Sequence, residues 1–177
     1  MEKLAVIYGS HYGTTQQYAQ WIAESLGAPL LDAAQTNKDQ LEEYDWVIFG
    51  GGLYASGIKG FKLLKEHSGK NLILFTVGLA DPQVTDYGPI LQHNLSQEQL
   101  KNAKIFHLRG GVDYSKMSKI HRMMMAVKKK EVEKKMKASP NEEDREFLAT
   151  YNKQIDFTDK ATIAPLIDYV RKEVAYA

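Results

Sequence analysis

Hydroxyl side chains and a glycine are concentrated in one short segment near the amino terminus, Ser10-His11-Tyr12-Gly13-Thr14-Thr15. The segment follows an apolar run at residues 4–8 and precedes residues 16–26, where apolar side chains recur at helical spacing. A loop that enters a helix leaves the N–H groups of the first turn without partners, and the helix dipole favours an anion there. The hydroxyl groups add donors, and Gly13 can adopt the positive φ of a tight loop. The pattern predicts a phosphate-binding loop; the alternative is a plain strand-to-helix turn capped by Ser and Thr.

Glycine also follows two later apolar runs. The run Trp46-Val47-Ile48-Phe49 ends at Gly50-Gly51-Gly52, and the run at residues 71–77 ends at Gly78. The carboxyl ends of parallel strands meet at one edge of a sheet, and ligands bind outside that edge. Glycines there let the backbone approach a flat ligand closely. Three such strand ends favour a cofactor site, although glycine is also a common way to end a strand.

A nicotinamide dinucleotide is the competing cofactor. Its binding loop needs the spacing Gly-x-Gly-x-x-Gly after the first strand and an acidic residue after the second. Asp32 does follow the second predicted strand, but Gly9 and Gly13 do not have the required spacing. The first loop therefore favours a mononucleotide over a dinucleotide.

Few residues are candidates for metal or nucleophilic chemistry. The chain has no cysteine, which excludes disulfides, thiolate catalysis and Cys-ligated metals. Its five histidines are scattered without metal-ligand spacing: His11, His67, His93, His107 and His121. We therefore predict no metal site and identify no catalytic residue.

The elements that position these loops alternate along the chain. Apolar strands are predicted at residues 4–8, 29–31, 46–49, 71–77 and 104–108, and helices at 16–26, 58–67 and 160–174, with weaker helical segments at 41–45 and 96–100. Short strands that alternate with helices and are almost entirely apolar are typical of a parallel sheet covered on both faces. We predict an α/β fold with a doubly wound, five-stranded parallel sheet, formed by residues 1–177 as a single domain.

Targeting signals are not predicted. One Lys precedes a short apolar stretch that runs into the polar loop, which is not the pattern of a signal peptide. No apolar run approaches the length of a membrane-spanning helix. The expected location is the cytoplasm.

A strongly basic segment follows the fifth strand. Residues 101–137 carry a net charge of +9, whereas residues 1–100 carry −5 and residues 138–177 carry −3. The connection to the last helix is longer than a five-stranded sheet needs, so residues 113–158 are predicted to form a helical insert.

The insert should contain two helices. Residues at three-four spacing predict that the first helix runs from Ser115 or Ser118 to Lys137: Met117, Ile120, Met124, Val127 and Glu131 or Val132. Pro140 ends it, and Ser139, Glu142 and Glu143 are typical of the cap and first turn of a second helix. The basic face of the first helix fits a solvated surface, an anionic membrane, or an acidic, flat and apolar ligand. Without an aromatic platform or a DNA-reading pattern, nucleic acid is not an expected partner.

The first loop resembles the flavodoxin signature. Val6-Ile7-Tyr8 is followed at the family's spacing by Ser10, Gly13, Thr15, Ala19 and Ile22, while Tyr12 and Thr14 stand where the signature more often has Thr and Asn. The resemblance implies the strand order 2-1-3-4-5 and non-covalent FMN, whose phosphate binds at residues 10–15 and whose ring lies between two later loops. The cofactor positions that it implies are Ser10, His11, Tyr12, Gly13, Thr14, Thr15, Gly51, Gly52, Leu53, Tyr54, Thr76, Val77, Gly78, Leu79 and Tyr87.

Within the flavodoxin-like proteins, the insert is similar to that of the bacterial menaquinone-dependent protoporphyrinogen IX dehydrogenases. Their fifth strand also runs into a segment like Gly110-Gly111-Val112-Asp113-Tyr114 and then a basic, Met-rich helix. This resemblance implies a role in heme biosynthesis, with a porphyrinogen as electron donor and a quinone as acceptor. The residues expected to contact substrate or the inner face of the membrane are Lys119, Arg122, Met123, Lys128, Lys129 and Lys130.

Three classes of function therefore remain after the sequence analysis. The first is an FMN-dependent oxidoreductase of the protoporphyrinogen dehydrogenase type. The second is a flavodoxin electron carrier, with a redox partner and no small substrate. The third is a flavin-binding interaction protein, whose basic helix docks on a partner.

Overall fold

The computed structural model of the protein describes residues 2–174. Its strands are β1 (Leu4–Gly9), β2 (Leu30–Asp32), β3 (Trp46–Tyr54), β4 (Gly57–Ile58), β5 (Leu72–Gly78), β6 (Lys104–Arg109), β7 (Gly111–Asp113) and β8 (Gln154–Asp156). Its helices are α1 (Thr14–Leu26), α2 (Lys38–Leu41), α3 (Gly88–Asn94), α4 (Gln97–Asn102), α5 (Lys119–Ala138), α6 (Glu142–Thr150) and α7 (Ala164–Glu173). None of the helices in this part of the chain combines the length and the apolar composition that crossing a membrane requires.

The central layer is a parallel sheet with the strand order β2-β1-β3-β5-β6. These are the five predicted strands in the predicted order, so the doubly wound α/β fold is confirmed. The order reverses between β1 and β3, which places a crevice at the carboxyl ends of these two strands. The hydroxyl loop begins directly after β1, at this crevice.

The core lies on both faces of the sheet because successive side chains of a strand point to opposite faces. Val6 belongs to the cluster under α1 and α7, and its neighbour Ile7 belongs to the cluster on the other face. Both side chains are fully buried. Burial on both faces explains why the strands are almost entirely apolar.

The predicted helix at residues 58–67 is wrong. Residues after Tyr54 turn back as β4, which pairs antiparallel with β3, and only a 3₁₀ turn forms at Phe61–Leu64. Gly60 has a φ of +78°, which interrupts a helix here. The third strand is also longer than predicted, because the Gly50–Gly52 segment pairs with β1 on one side and β5 on the other.

The segment between β6 and α7 contains two helices, as predicted, and one additional element. Ser118 caps α5 through its hydroxyl oxygen, which accepts from the N–H of His121. The second helix, α6, is capped by Asn141 and not by Ser139. The unexpected element is a two-stranded antiparallel sheet, in which β7 pairs with β8 across the base of the insert. Helix α3 was also not predicted.

Candidate functional site

The hydroxyl loop leaves the amino terminus of α1 open. Gly13 is the N-cap residue, with a φ of +93°, and no side chain caps the helix. The Ser10 hydroxyl oxygen accepts a hydrogen bond from the Gly13 N–H at 3.0 Å, which fixes the loop. The first-turn N–H groups therefore remain available to an anion, with the favourable end of the helix dipole behind them.

Glycines keep the walls of this loop free of side chains. A Cβ added at Gly52 would lie 3.0 Å from Thr15 Oγ1, and one added at Gly110 would lie 3.1 Å from Thr14 Oγ1. Either methyl group would crowd a hydroxyl that faces the loop. The loop opens into a cavity of about 140 Å³, and its size and donors fit a phosphate group.

A larger cavity of about 760 Å³ adjoins the small one. Both are lined by the end of β3, the end of β5 and the first half of α5, through Leu53, Tyr54, Gly78, Leu79 and Met125. The large cavity is also lined by the loop before α3 and by α6. A cavity of this size is within the usual range for organic ligands, roughly 300–1,000 Å³.

The structure brings most of the predicted cofactor positions together. Those that line the small cavity are Ser10, His11, Tyr12, Thr14, Thr15, Gly52, Leu53, Tyr54, Val77, Gly78 and Leu79. Gly13 caps α1, and Tyr87 lines the large cavity. Gly51 and Thr76 are buried within the sheet, beside these walls.

A tight hairpin presents Tyr54 to the cavities. The two residues between β3 and β4, Ala55 and Ser56, have φ values of +46° and +66°, which glycine or asparagine would adopt more easily. Asn94 of α3 holds this turn: its side-chain amide donates to Ser56 O at 2.8 Å and accepts from Ile58 N–H at 3.2 Å. The strained turn is thus stabilised by a helix that the sequence analysis missed.

Tyr87 rests on a half-buried histidine. Its ring stacks on His107 with the centroids 3.6 Å apart and the planes nearly parallel. His107 Nδ1 in turn shares a hydrogen bond of 2.6 Å with Thr76 Oγ1. Burial lowers the pKa of His107 to about 4, so the imidazole is neutral at neutral pH. One face of Tyr87 is therefore covered by His107, and the residue is only 8% exposed where it lines the large cavity.

Arg109 connects the insert to the sheet, a role that sequence reasoning did not identify. Its Nε donates to Leu79 O at 3.0 Å, its guanidinium lies 3.7 Å from the centre of the Phe157 ring, and it pairs with Glu146 of α6. Asp81 is 3.9 Å away. The available signal was an arginine at the end of a strand that is otherwise partly apolar.

The predicted contact residues on α5 have several different roles. Arg122 donates two hydrogen bonds to Tyr114 O and so anchors the start of the helix. Lys128 Nζ lies 4.8 Å from the centre of the Phe147 ring, and Lys129 Nζ lies 5.0 Å from that of Tyr151. Met123 and Lys128 line the large cavity, whereas Lys119 and Lys130 are exposed. Whether any of them contacts a substrate or a membrane stays a prediction.

The fold and the site together define an α/β protein that binds a phosphorylated, flat cofactor at the carboxyl edge of a parallel sheet. The comparison with protein families makes this more specific. The sequence matches the flavodoxin domain family over residues 5–139, and the chain belongs to that family. The match includes the phosphate loop and the whole of α5.

Several solved flavodoxins are similar to this chain. An archaeal flavodoxin is 14% identical over 60% of this chain and 82% of its own, with a TM-score of 0.44. Flavodoxin 2 from Bacillus cereus is 19% identical over 60% and 85%, with a TM-score of 0.41. A flavodoxin variant from Fusobacterium nucleatum, solved with flavin mononucleotide bound, is 19% identical over 66% and 72%, with a TM-score of 0.42. The comparison with curated proteins finds no match.

Proposed function

We propose that this protein is an FMN-dependent oxidoreductase of the protoporphyrinogen dehydrogenase type. Membership of the flavodoxin domain family and the open phosphate loop support FMN as the cofactor. FMN supplies the redox chemistry, since its ring accepts two electrons from a donor and returns them to an acceptor. The observation that carries the enzymatic part of the proposal is the cavity of about 760 Å³, which extends beyond the shared walls to α6.

The residues of the chain would position the cofactor and exclude water from it. The hydroxyls of Ser10, Thr14 and Thr15 and the first N–H groups of α1 would hold the phosphate. Leu53 and Tyr54 would flank one side of the ring, and Gly78 and Leu79 the other, since these four residues line both cavities. The methionines of α5 would cover the ring and leave space for an apolar substrate.

The substrate cavity is mainly apolar, with charged groups among its lining residues. Met123, Met124 and Val127 of α5 line it together with Leu79 and Ile90. Flexible thioethers adapt to a flat macrocycle or to a quinone. Such a cavity would supply apolar area for binding, while the cofactor performs the electron transfer.

A second function, that of an electron carrier, is favoured by the carboxylates of the same cavity. Asp86, Glu131 and Glu143 are exposed side chains among its lining residues. An acidic rim near the cofactor would attract a basic redox partner, as in carriers that dock by charge.

Anaerobic flavin spectroscopy separates these functions. Protein reconstituted with FMN is mixed with protoporphyrinogen IX, and the visible flavin absorbance is followed before and after a menaquinone analogue is added. Bleaching by the porphyrinogen and recovery with the quinone would support the oxidoreductase. Electron exchange with a ferredoxin reductase, without any bleaching by the porphyrinogen, would support the carrier. If neither occurs although FMN is bound, the protein is a flavin-binding interaction protein.

A matched pair of variants tests whether the large cavity holds the substrate. Met123 and Ile120 are both exposed on α5, but only Met123 lines that cavity. Met123→Trp should fill the cavity and slow reduction by the porphyrinogen at least tenfold, while Ile120→Trp should leave it unchanged. Equal rates in the two variants would contradict this placement of the substrate.

A further inference from the structure

A second histidine reaches the phosphate loop from α5. His11 belongs to the loop, and His121 lies near the start of the helix, 110 positions later in the chain. Their ring centroids are 5.3 Å apart, with the ring planes nearly perpendicular. His11 lines the small cavity, and His121 packs against His11 just outside the residues that line it.

Contacts with Tyr12 and Tyr54 also hold His121 in this position. The Tyr12 hydroxyl shares a hydrogen bond with His121 Nδ1. The ring centroids of Tyr54 and His121 are 4.2 Å apart. The Tyr54 hydroxyl donates to Met124 Sδ at 2.9 Å, one helical turn further along α5. The start of α5 is therefore attached to the phosphate loop and to the end of β3 at once.

The charges around the two imidazoles favour an anion between them. The titratable groups that face the pair are Tyr12 of the loop, Tyr54 at the end of β3 and Lys59 after β4. Residues 10–15 contain no Lys or Arg, so the His11 imidazole is the cationic group that the loop itself can offer. Burial, Lys59 and His121 all lower the pKa of His11, so two adjacent imidazolium ions are disfavoured until an anion compensates them.

We propose that His11 and His121 together recognise the phosphate of FMN as imidazolium ions, which makes α5 part of the cofactor site. The inference rests on the proposed FMN function and adds specificity to it. A phosphate monoester carries a charge of about −1.5 to −2 at neutral pH. Riboflavin has the same ring system without this charge, so the two histidines should distinguish FMN from riboflavin.

The expected pH dependence follows from linkage. A bound phosphate raises the pKa of a neighbouring imidazole, so affinity is gained below the pKa of the free protein and lost as pH rises through the pKa of the complex. A rise of one unit for one histidine changes the affinity about tenfold across the titration. FMN should therefore bind more tightly at pH 6 than at pH 8, whereas riboflavin should bind equally at both.

The test measures dissociation constants for FMN and riboflavin by the quenching of flavin fluorescence at pH 6 and pH 8. In the unaltered protein the preference for FMN over riboflavin should be about tenfold greater at pH 6 than at pH 8. His11→Gln and His121→Gln should each reduce this pH-dependent gain to twofold or less, because Gln keeps a hydrogen-bonding group but cannot be protonated. The matched control is His93→Gln at an exposed position of α3, outside both cavities, which should behave as the unaltered protein does.

The outcomes distinguish this inference from the proposed function. Tight FMN binding with an unchanged pH dependence in both Gln variants would overturn the inference and leave the FMN site in place. A loss confined to His11→Gln would overturn the role of α5. Failure of the unaltered protein to bind either flavin would overturn the proposed function and the inference with it. His121→Phe, which retains a ring beside Tyr54, should lose the gain as His121→Gln does; if it retains the gain, packing and not charge is responsible.

Discussion

The hydroxyl groups of Ser10 and Thr15, both in the phosphate loop, have different surroundings. Ser10 Oγ accepts the Gly13 N–H and can still donate its own proton. Thr15 is buried, and its Oγ1 faces the open space that the absent Cβ of Gly52 leaves. Each hydroxyl is therefore in a position to donate to a phosphate oxygen.

Removal of either hydroxyl should weaken FMN binding. Ser10→Ala and Thr15→Val, the second of which preserves shape, should each raise the dissociation constant about ten- to hundredfold, because a hydrogen bond to a charged group contributes about 1.5–3 kcal/mol. The measurement is flavin fluorescence quenching. Ser25→Ala is the control, because Ser25 lies near the other end of α1 and donates to Trp21 O. Unchanged affinity in both loop variants would mean that the phosphate binds elsewhere.

His107 should make the fold sensitive to acid. Its pKa is about 4 in the folded protein against 6.5 ordinarily, because burial disfavours the charged ring. The unfolded chain therefore takes up a proton as pH falls below 6.5, while the folded protein does so only near pH 4. Its contribution to stability should fall across this window by on the order of 2 kcal/mol, a figure reduced for the solvent screening of a half-exposed ring.

Urea unfolding at several pH values measures this effect. The free energy of unfolding should decrease less steeply between pH 6.5 and pH 4 in His107→Gln than in the unaltered protein. His93→Gln is again the exposed control. If the slope of His107→Gln equals that of the unaltered protein, His107 is not the acid-sensitive group.

At the scale of elements, Arg109 connects α6, on which α5 packs, to the sheet. Its side chain is 19% exposed and its partner Glu146 is 35% exposed, so the pair is only partly screened by water. Arg109→Met should destabilise the docking of the insert by on the order of 2 kcal/mol, because Glu146 and Leu79 O lose their partner.

Amide hydrogen exchange locates this loss. Protection should fall in α5 and α6 and persist in β1, β3 and β5, which form the centre of the sheet. The control is Arg145, which lies on the same helix as Glu146 but is 62% exposed and 3.9 Å from Glu142. Arg145→Met should cause no measurable change in protection. Uniform loss of protection across the sheet would instead show that Arg109 supports the whole fold.

At the scale of the molecule, α5 presents apolar and basic side chains side by side. Ile120, Met123 and Val127 are 66%, 64% and 53% exposed. Lys128 and Lys129 lie over aromatic rings, whereas Lys119, Lys130 and Lys134 are exposed. This combination is what the predicted contact of α5 with an anionic membrane surface requires.

Vesicle binding tests the membrane contact. Each lysine near an anionic surface contributes about 1 kcal/mol, so replacing Lys119, Lys130 and Lys134 by Gln should weaken sedimentation with phosphatidylserine-containing vesicles. The loss should be greatest at low salt, where charges are least screened. A triple variant at the exposed Lys62, Lys65 and Lys70 is the control of equal charge. If both triple variants bind the vesicles equally well, α5 is a solvated helix that does not contact the membrane.

Much of the fold followed from local patterns. The five parallel strands are apolar runs and α1 has an apolar repeat, and both patterns report burial. The apolar repeat of α5 predicted the helix but not its burial, because only Val132 of that repeat is buried. The phosphate loop is local too, since its glycine, its hydroxyls and the helix that follows are consecutive in the chain. Short elements were less predictable, because a paired strand of two or three residues, such as β4, β7 or β8, has no period to detect.

The sequence by itself determined the sheet, the loop at Ser10 and the residue types that suit FMN, because these depend on neighbours within one or two turns of chain. Only the tertiary structure decided that Tyr12 meets His121, 109 residues away, and that Arg109 meets Glu146. Such contacts depend on where the insert folds back, and no local pattern encodes that position. The same folding decides which side chains of α5 line the cavity and which remain in solvent, since both kinds occur along one helix.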